Sequence, residues 1–408
     1  MDDARLCVSF PFDGHPIKNA PLDLKSHYLN ALRLMVLQHG DGWSQAALGK
    51  YAERLFWGTE NRQANADLAT SLGKLSNIVF LQYNYLNTKA LIYAFVCDVL
   101  FLTAFADPHR AKKVVTQLQG GALPIRLKVN IQLLASELYI EKLHTKTNII
   151  VKMHIDTWHK NLVFSKRPLK RIIVTAITST GKSTLINALA GKDVFEARNA
   201  ACTSFVQKVY TKPLKDGVVF KHGLDMAIYS EALAGCRICF IDTPGVNAAC
   251  FPQHQKITQG EILGGQYDYL LYVLSMANLG TIDDAKHLEF VSKNVPASKI
   301  IFVLNKMDTY DEEASIAETI EELRSSLRSN YGIASPAVYP ISAKAARLAK
   351  LARVKNLKEN EKRFYDAYRQ MYMGLPFNLS EFYPNLESMG DLQAQCGITG
   401  LEQALINL

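Results

Sequence analysis

The stretch AITSTGKSTLINALAG, residues 176–191, contains residue types that bind a chain of phosphates. It begins at the end of the β-branched run RIIVTAI and closes with STLINALAG, whose apolar spacing predicts the start of a helix. A loop between a strand and a helix points successive backbone N–H groups into one concavity, and the helix adds the positive end of its dipole. The context therefore fits the pattern G-x-x-x-x-G-K-[ST], although Ala176 replaces its first glycine.

The residues of this loop have separate predicted roles. Gly181 allows the backbone to approach the phosphates, Lys182 supplies a cation to the β and γ oxygens, and Ser183 supplies a hydroxyl to Mg²⁺. The predicted nucleotide contacts here are Thr178, Ser179, Thr180, Gly181, Lys182, Ser183 and Thr184. A lone G-K-S is weak evidence, so the prediction depends on motifs further along the chain.

Three more motifs follow in order, each at the end of a predicted strand. In DTPG, Asp242 is placed to reach the Mg²⁺ shell through water, and Gly245 offers its N–H to a γ-phosphate. In NKMD, Asp308 accepts from the ring N–H and the amino group of guanine, a donor pair that adenine lacks. In SAK, the N–H of Ala343 is predicted to meet the guanine oxygen. The predicted base contacts are Asn305, Lys306, Asp308, Ser342, Ala343 and Lys344.

Each motif alone has a plain alternative, such as a turn, a polar loop or a helix start. Their order and their positions after strands predict a guanine-nucleotide site. Between the first two motifs, NAACTS offers Thr203 as a switch threonine that closes on Mg²⁺ and the γ-phosphate. The predicted metal ligands are Ser183, Thr203 and Asp242.

The chain changes character near the basic stretch SKRPLKR. Residues 1–165 show apolar residues at three-to-four spacing, which predicts a helical region. Residues 166–408 alternate β-rich and helical runs, which predicts the α/β class with a mostly parallel sheet and helices on both faces. A basic insert is expected at about 345–390, and the short link between VVFKH and RICFIDT predicts the one antiparallel pair.

Composition limits the class of protein. Seven cysteines, an odd number without framework spacing, indicate a reducing cytosol, and no signal segment is recognised at the N-terminus. Cys236 and Cys239 are interpreted as packed thiols rather than half a zinc site.

The apolar run 90–106 carries Asp98 and is shorter than a membrane span of ~20 residues, so a buried helix is expected. His154 and His159 fit one helix face poorly, and no metal site is predicted there.

Basic charge is unevenly placed. The formal excess of +8 lies wholly in residues 1–170, which suits an acidic partner or a membrane surface and is equally typical of solvated helical faces. In residues 344–363, Leu348, Leu351 and Val354 share one side of a basic helix. We favour a helix that packs on the sheet, and contact with anionic lipid is the alternative.

From about Lys170 to Leu408, the chain resembles the GTPase domain of the dynamin superfamily, specifically bacterial dynamin-like proteins. The resemblance is carried by TAITSTGKSTLINALAG, ARNAACTS, DTPGVNAACFPQHQKIT, YDYLLYVLSMANLGTIDDAKHLEFV, FVLNKMD, YPISAKAA and CGITGLEQALINL. Bacterial members often lack the first glycine of the loop. The resemblance implies a P-loop GTPase fold, Mg²⁺-dependent hydrolysis of GTP to GDP and phosphate, and pairing of two GTPase domains.

The chain also departs from that family. Dynamins have a glutamine where Thr178 stands, and Val246 follows DTPG where small GTPases place a glutamine. Water positioning is then expected of backbone groups, Thr203 and a K⁺ or Na⁺ ion near Ser179, with slow basal turnover. The candidate catalytic residues are Ser179, Lys182 and Thr203. The sequence ends at the last expected GTPase helix, so stalk-like function is expected of the helical region or of another chain.

Three functional hypotheses remain open. The first is a cytoplasmic dynamin-like GTPase, paired as a homodimer or with a second dynamin-like chain, that remodels or scaffolds an assembly or a membrane at its periphery. The second is a regulatory GTP switch that binds a protein or ribosomal partner, without membrane activity. The third is a nucleotide-binding module without turnover. No specific contact with nucleic acid is expected.

Overall fold

A computed structural model describes residues 3–59, 66–82, 85–120, 125–139, 152–195, 205–246, 253–310, 315–373, 377–383 and 391–408. The chain groups into two compact units. The first unit comprises Met1–Arg167 and Lys212–Tyr229, and the second comprises Pro168–Thr211 and Ser230–Leu408. The sequence predicts a single boundary after residue 165, whereas Lys212–Tyr229 groups with the helical region.

The first unit is built mainly from helices. They are α1 (Asp3–Leu6), α2 (Leu22–His39), α3 (Gly42–Leu55), α4 (Leu68–Gln82), α5 (Tyr85–Ala104), α6 (Pro108–Gly120), α7 (Ile125–Leu138) and α8 (Lys152–Ser165). The apolar run around Asp98 forms the buried part of α5, as predicted. None of the helices in the described part of the chain combines the length and hydropathy needed to cross a bilayer.

The second unit contains six strands in the order β2-β5-β1-β6-β7-β8. Their bounds are β1 (Lys170–Thr175), β2 (Gln207–Thr211), β5 (Ile238–Asp242), β6 (Tyr269–Ser275), β7 (Ile300–Asn305) and β8 (Ala337–Pro340). All neighbouring pairs are parallel except β2 with β5, which confirms the mostly parallel sheet. Every residue of β5 and β7 is buried, because strands covered on both faces are almost continuously apolar.

Helices alternate with these strands. They are α9 (Lys182–Ala190), α10 (Gln253–Gly264), α11 (Ile282–Asn294), α12 (Ile316–Tyr331), α13 (Ala343–Val354), α14 (Glu359–Met373), α15 (Leu392–Gln395) and α16 (Ile398–Ile406). The carboxyl ends of parallel strands share one edge of a sheet, where ligands of open α/β folds bind. The four predicted motifs follow β1, β5, β7 and β8.

The predicted pairing of VVFKH with RICFIDT is wrong. VVFKH contains β3 (Phe220–His222), which pairs antiparallel with β4 (Asp225–Ile228) inside the first unit. A two-residue turn joins these strands, and its Gly223 takes a positive φ of 62° that suits glycine. Local closure of this hairpin leaves β5 to pair with β2.

Residues 212–229, which contain this hairpin, contact the N-terminal part of the first unit through aromatic and polar side chains. The Phe220 ring centroid lies 5.5 Å from that of Phe10 and 5.9 Å from that of Trp43. The Asp216 carboxylate accepts from the backbone N–H of Phe10 at 2.8 Å and from the ammonium of Lys212. These contacts explain why residues so far along the chain pack with the N-terminal helices.

A buried carboxylate lies at the centre of the first unit. Asp98, which is fully buried, accepts hydrogen bonds from Tyr28 at 2.6 Å and Tyr51 at 3.1 Å. The ring of His15 donates a third at 2.9 Å. The carboxylate therefore ties α2, α3, α5 and the N-terminal segment together through satisfied hydrogen bonds.

His154 joins this cluster, which the sequence did not suggest. His15, Asp98 and His154 are the one group of His, Cys, Asp and Glu side chains in the described ranges close enough to share a metal ion. However, the backbone N–H of Ile17 donates to Nδ1 of His15, so the proton of the neutral ring lies on Nε2 and points at Asp98. A protonated nitrogen does not bind a metal, and we interpret the cluster as a structural hydrogen-bond network.

The basic stretch 344–363 forms parts of two helices, α13 and α14, rather than one. Leu348 and Leu351 are buried, whereas Val354 is 54% exposed. Arg347 extends from α13 to Asp193 at 2.7 Å and to Glu361 on α14 at 3.3 Å. The two leucines and Arg347 thus serve packing and ion pairing within the second unit.

Candidate nucleotide-binding site

The loop after β1 requires glycine at position 181. Gly181 precedes α9 with φ of 95°, a conformation that other residues rarely adopt. A Cβ at this position would lie 2.4 Å from Nδ2 of Asn305. That nitrogen donates to the carbonyl oxygen of Thr180 at 2.8 Å. Any side chain at 181 would therefore displace the contact between the phosphate loop and the NKMD loop.

Ala176 does not need the freedom of glycine. It is fully buried, and its backbone lies outside the positive-φ region. Its carbonyl accepts from the N–H of Val246 at 3.2 Å, and the N–H of Thr178 donates back to Val246 at 3.0 Å. This short parallel bridge continues the pairing of β1 with β5 into the loops. An alanine therefore fits in place of the first glycine.

Thr178 and Ser179 have different environments. The hydroxyl of Thr178 donates to the carbonyl of Val246 at 3.0 Å, so it is engaged with the DTPG segment. Ser179 is exposed and takes a positive φ of 66°, which is uncommon for a residue with a Cβ. The hydroxyl of Thr178 therefore holds the phosphate loop against the DTPG segment.

Lys182 is the first residue of α9 and is only 7% exposed. Burial lowers its pKa, and the nearby charge of Asp242 opposes that change. A Cβ added to Gly245 would lie 3.2 Å from Nζ of Lys182 and 3.0 Å from Cα of Thr178. The absence of a side chain at 245 thus leaves the DTPG backbone close to the lysine. A polyphosphate would give this buried cation a strong counter-charge.

Two predicted magnesium ligands come together. The hydroxyl of Ser183 lies 3.4 Å from Oδ2 of Asp242, which ends β5 and is fully buried. A hydroxyl and a carboxylate are hard oxygen donors, so this pair fits Mg²⁺. Thr203, the third predicted ligand, lies outside the described residues. Thr180 is buried and Thr184 half-buried near the start of α9.

The base-recognition residues meet around Asp308, which follows β7 in a short 3₁₀ turn. Oδ1 of Asp308 accepts from the hydroxyl of Ser342 at 2.6 Å, and Oδ2 accepts from the hydroxyl of Tyr368 at 3.2 Å. Lys306 precedes the turn with a positive φ of 63°. The predicted contacts from NKMD and SAK therefore lie side by side, and α14 adds a tyrosine that the sequence interpretation had not included.

Ala343 makes a different contact from the one predicted. Its N–H donates to Oδ1 of Asn305 at 3.0 Å, whereas the sequence interpretation directed it to the guanine oxygen. Contact with guanine requires this bond to be shared or exchanged. The side chain of Asn305, only 2% exposed, consequently bridges Thr180 of the phosphate loop and the start of α13.

Two further features were missed from the sequence. Nζ of Lys344 lies 4.0 Å from the ring centroid of Phe364, a cation–π contact between α13 and α14. Under the phosphate loop, Nε2 of His287 lies 2.8 Å from the hydroxyl of Thr175 at the end of β1. Burial, followed by the charge of Lys182, lowers the pKa of His287 to about 4. The four-residue spacing of Phe364, Tyr368 and Tyr372 was the available signal for the role of α14.

Comparisons with known proteins identify similar sequences and structures. Residues 171–306 match the family model described as 50S ribosome-binding GTPase. The chain is similar to the probable transmembrane GTPase FZO-like, chloroplastic, of Arabidopsis thaliana, with 28% identity over 198 residues, 45% of this chain and 20% of the relative. It is also similar to an uncharacterized protein in the xynA 3' region of Caldicellulosiruptor sp. (strain Rt8B.4), with 23% identity over 263 residues, 58% of this chain and 63% of the relative.

Among solved structures, Toc33 from Arabidopsis thaliana in complex with Mg²⁺ and GMPPNP has a TM-score of 0.34 and 17% identity, covering 62% of this chain and 91% of that one. The chain spans less than two thirds of the length of both sequence relatives. The family match over residues 171–306, the mostly parallel sheet and the phosphate-loop sequence indicate a P-loop GTPase. The second unit contains a GTP-binding domain of the P-loop GTPase class.

Proposed function

We propose that the protein binds GTP with Mg²⁺ and hydrolyses it to GDP and phosphate at the edge of the sheet formed by β1, β5, β7 and β8. The observation that carries this proposal is the double contact of Asn305, which joins the phosphate loop to the base-recognition loops. One side chain thereby sets the distance between the regions assigned to phosphate and base.

The chemistry follows from these positions. Lys182 would neutralise the β- and γ-phosphate oxygens, and Ser183 with Asp242 would hold Mg²⁺, whose positive charge would offset charge on the transferred phosphoryl group. Asp308 reads the guanine ring. Because phosphoryl transfer depends on positioning and electrostatics, a site without a water-orienting glutamine is expected to turn over slowly on its own.

For the biological role, we propose a dynamin-like mechanism in which two GTPase domains pair across their nucleotides and act with the helical first unit. The support is the motif resemblance, the engaged hydroxyl of Thr178 and the exposed, positive-φ Ser179, which suits a K⁺ or Na⁺ site completed by pairing. Thr203, which lies outside the described residues, would then be a ligand of Mg²⁺ and a contact of the γ-phosphate. The partner is a second copy or another dynamin-like chain in the cytoplasm, with membrane contact limited to the periphery.

Phosphate release measured over a hundredfold range of protein concentration tests pairing. Specific activity should rise with concentration and be higher in K⁺ or Na⁺ than in a bulky organic cation. Thr203→Ala should lower turnover far more than binding, because its contact is made mainly in the closed state. Flat specific activity that ignores the cation would refute pairing, and no phosphate release under any condition would favour a module without turnover.

A second candidate is a regulatory GTP switch for a ribosomal or protein partner. The observation that favours it is the family match, whose description names 50S ribosome binding. Co-sedimentation with 50S subunits and, separately, with anionic liposomes, each with GTP or GDP, distinguishes the roles. GTP-dependent recovery with 50S subunits alone supports the switch, whereas GTP-dependent recovery with liposomes alone supports membrane work.

A further inference from the structure

Helix α14 presents a row of aromatic side chains to the base-recognition residues. Phe364, Tyr368 and Tyr372 recur every four residues, which places them on one face of the helix. Tyr368 is 8% exposed and Tyr372 is fully buried. The hydroxyl of Tyr368 donates to Oδ2 of Asp308 at 3.2 Å, across 60 residues of sequence.

The position of α14 is set by contacts other than this hydrogen bond. Arg347 joins Glu361 on α14 at 3.3 Å and also Asp193 at 2.7 Å. Phe364 lies against the ammonium of Lys344 at 4.0 Å. The fold therefore holds Tyr368 beside Asp308 independently of the hydroxyl itself.

The number of hydrogen bonds that Asp308 can accept relates its contact with Tyr368 to guanine binding. A carboxylate has about four acceptor positions, two on each oxygen. Ser342 uses one position on Oδ1 and Tyr368 uses one on Oδ2, which leaves one on each oxygen. Guanine offers two donors side by side, the ring N–H and the 2-amino group, so the remaining positions match its requirement.

The two hydroxyls also restrict rotation of the carboxylate. The terminal torsion of an aspartate is broad, so a single donor on one oxygen leaves the plane of the carboxylate poorly defined. Donors on both oxygens, one from the α13 cap and one from α14, define that plane before nucleotide arrives. Burial, together with the charge of Asp308, raises the pKa of Tyr368, so its hydroxyl remains a donor at neutral pH.

We propose that Tyr368 is a positioning residue for guanine recognition, holding the Asp308 carboxylate in the plane that accepts both guanine donors. The inference rests on the proposed function, in which Asp308 reads the base. This role predicts that loss of the Tyr368 hydroxyl affects guanine nucleotides more than inosine nucleotides, because inosine nucleotides lack the 2-amino group and present only one donor. A carboxylate that can rotate still accepts one donor, but it loses part of the paired contact.

The test compares Tyr368→Phe with Tyr365→Phe, a half-buried tyrosine on the same helix. Dissociation constants for GDP and IDP are measured by competition with a fluorescent GTP analogue, and thermal unfolding verifies the fold. Loss of one charge-assisted hydrogen bond should weaken GDP about 5- to 10-fold and IDP about 2-fold in Tyr368→Phe. The preference for GDP over IDP should thus fall, while Tyr365→Phe retains it.

An unchanged GDP-to-IDP preference in a folded Tyr368→Phe protein would overturn the proposal, because a purely structural role affects both nucleotides equally. Tighter GDP binding by the variant would also overturn it, since the hydroxyl would then compete with the base. Failure of the proposed function is distinguishable: the wild-type protein would bind no GTP, or Lys182→Ala would bind it as well as the wild type.

Discussion

The side chain of Asn305 donates a hydrogen bond to the main-chain carbonyl of Thr180, 2.8 Å away. The same side chain accepts from the N–H of Ala343, at the start of α13, at 3.0 Å. One buried amide thus connects three loops, since Thr180 lies 125 residues before Asn305 and Ala343 lies 38 residues after it. The spacing between phosphate and base recognition depends on this amide.

Replacing Asn305 with alanine should therefore weaken GTP binding and stability together. It leaves a buried carbonyl and a buried N–H unsatisfied, which costs about 1–3 kcal/mol each, and GTP affinity should fall about 10- to 100-fold. Titration with a fluorescent GTP analogue and urea unfolding are the measurements. Asn294→Ala, at an exposed site on α11, should change neither by more than about 0.5 kcal/mol. Full GTP affinity in Asn305→Ala would disprove the bridging role.

Base choice should depend on the Asp308 carboxylate. Asp308→Asn places a donor where guanine needs an acceptor, so GTP affinity should fall at least about 100-fold and preference should shift to xanthine nucleotides, whose 2-oxo group accepts. Competition among GTP, XTP and ATP measures the shift. Asp366→Asn, on the exposed side of α14, is the control. Retained preference for GTP over XTP in Asp308→Asn would exclude this residue from base recognition.

The sequence was most informative where a short segment determines its own conformation. The strand, loop and helix around Gly181 were predictable because β-branched residues, a loop glycine and apolar helical spacing are adjacent in the chain. The motif residues Asp242 and Asp308 were predictable because they end or follow buried strands. Parallel strands then place their carboxyl ends at one edge of the sheet.

Contacts between distant segments were not predictable in this way. Tyr368 reaches Asp308 across 60 residues, and His15 reaches Asp98 across 83. The aromatic spacing on α14 marks one face of that helix, but no local pattern identifies Asp308 or Asp98 as the partner, because each contact depends on how separate elements pack. Segment 212–229 similarly resembles a strand of the GTPase domain locally, whereas its contacts with Phe10, Trp43 and Arg54 group it with the first unit.

The buried network of the first unit should be sensitive to loss of its carboxylate. Asp98→Ala leaves Tyr28, Tyr51 and His15 without their acceptor, which should cost about 3–5 kcal/mol. All three tryptophans lie in the first unit, so tryptophan fluorescence during urea unfolding follows that unit. The exposed Asp13→Ala is the control. A loss below about 1 kcal/mol in Asp98→Ala would contradict a central role for the network.

The stability of the second unit should depend on pH through Asp284. Burial raises the pKa of this carboxyl to about 6, although a hydrogen bond from Tyr272 opposes the change. The folded protein therefore holds the proton more tightly than the unfolded chain, so ionisation destabilises it above about pH 6 and this cost disappears as pH falls towards 4. Asp284→Asn should raise the free energy of unfolding by about 1–3 kcal/mol at pH 7.5 and by little at pH 4.

Hydrogen exchange in β6, measured by mass spectrometry, follows this change in the second unit. The adjacent and exposed Asp283→Asn is the matched control and should show no stabilisation at pH 7.5. Equal effects of Asp284→Asn at both pH values would indicate that the variant acts through packing rather than through ionisation.

The most direct test of the nucleotide site is a parallel titration of the protein with fluorescent GTP and ATP analogues in Mg²⁺. The site geometry predicts GTP binding at least about 100-fold tighter than ATP binding, because only guanine satisfies Asp308. Lys182→Ala and Ser183→Asn should each lose tight GTP binding while remaining folded, whereas the exposed Lys299→Ala should not. Equal affinity for ATP and GTP, or unchanged GTP affinity in Lys182→Ala, would contradict the assignment of a guanine-nucleotide site.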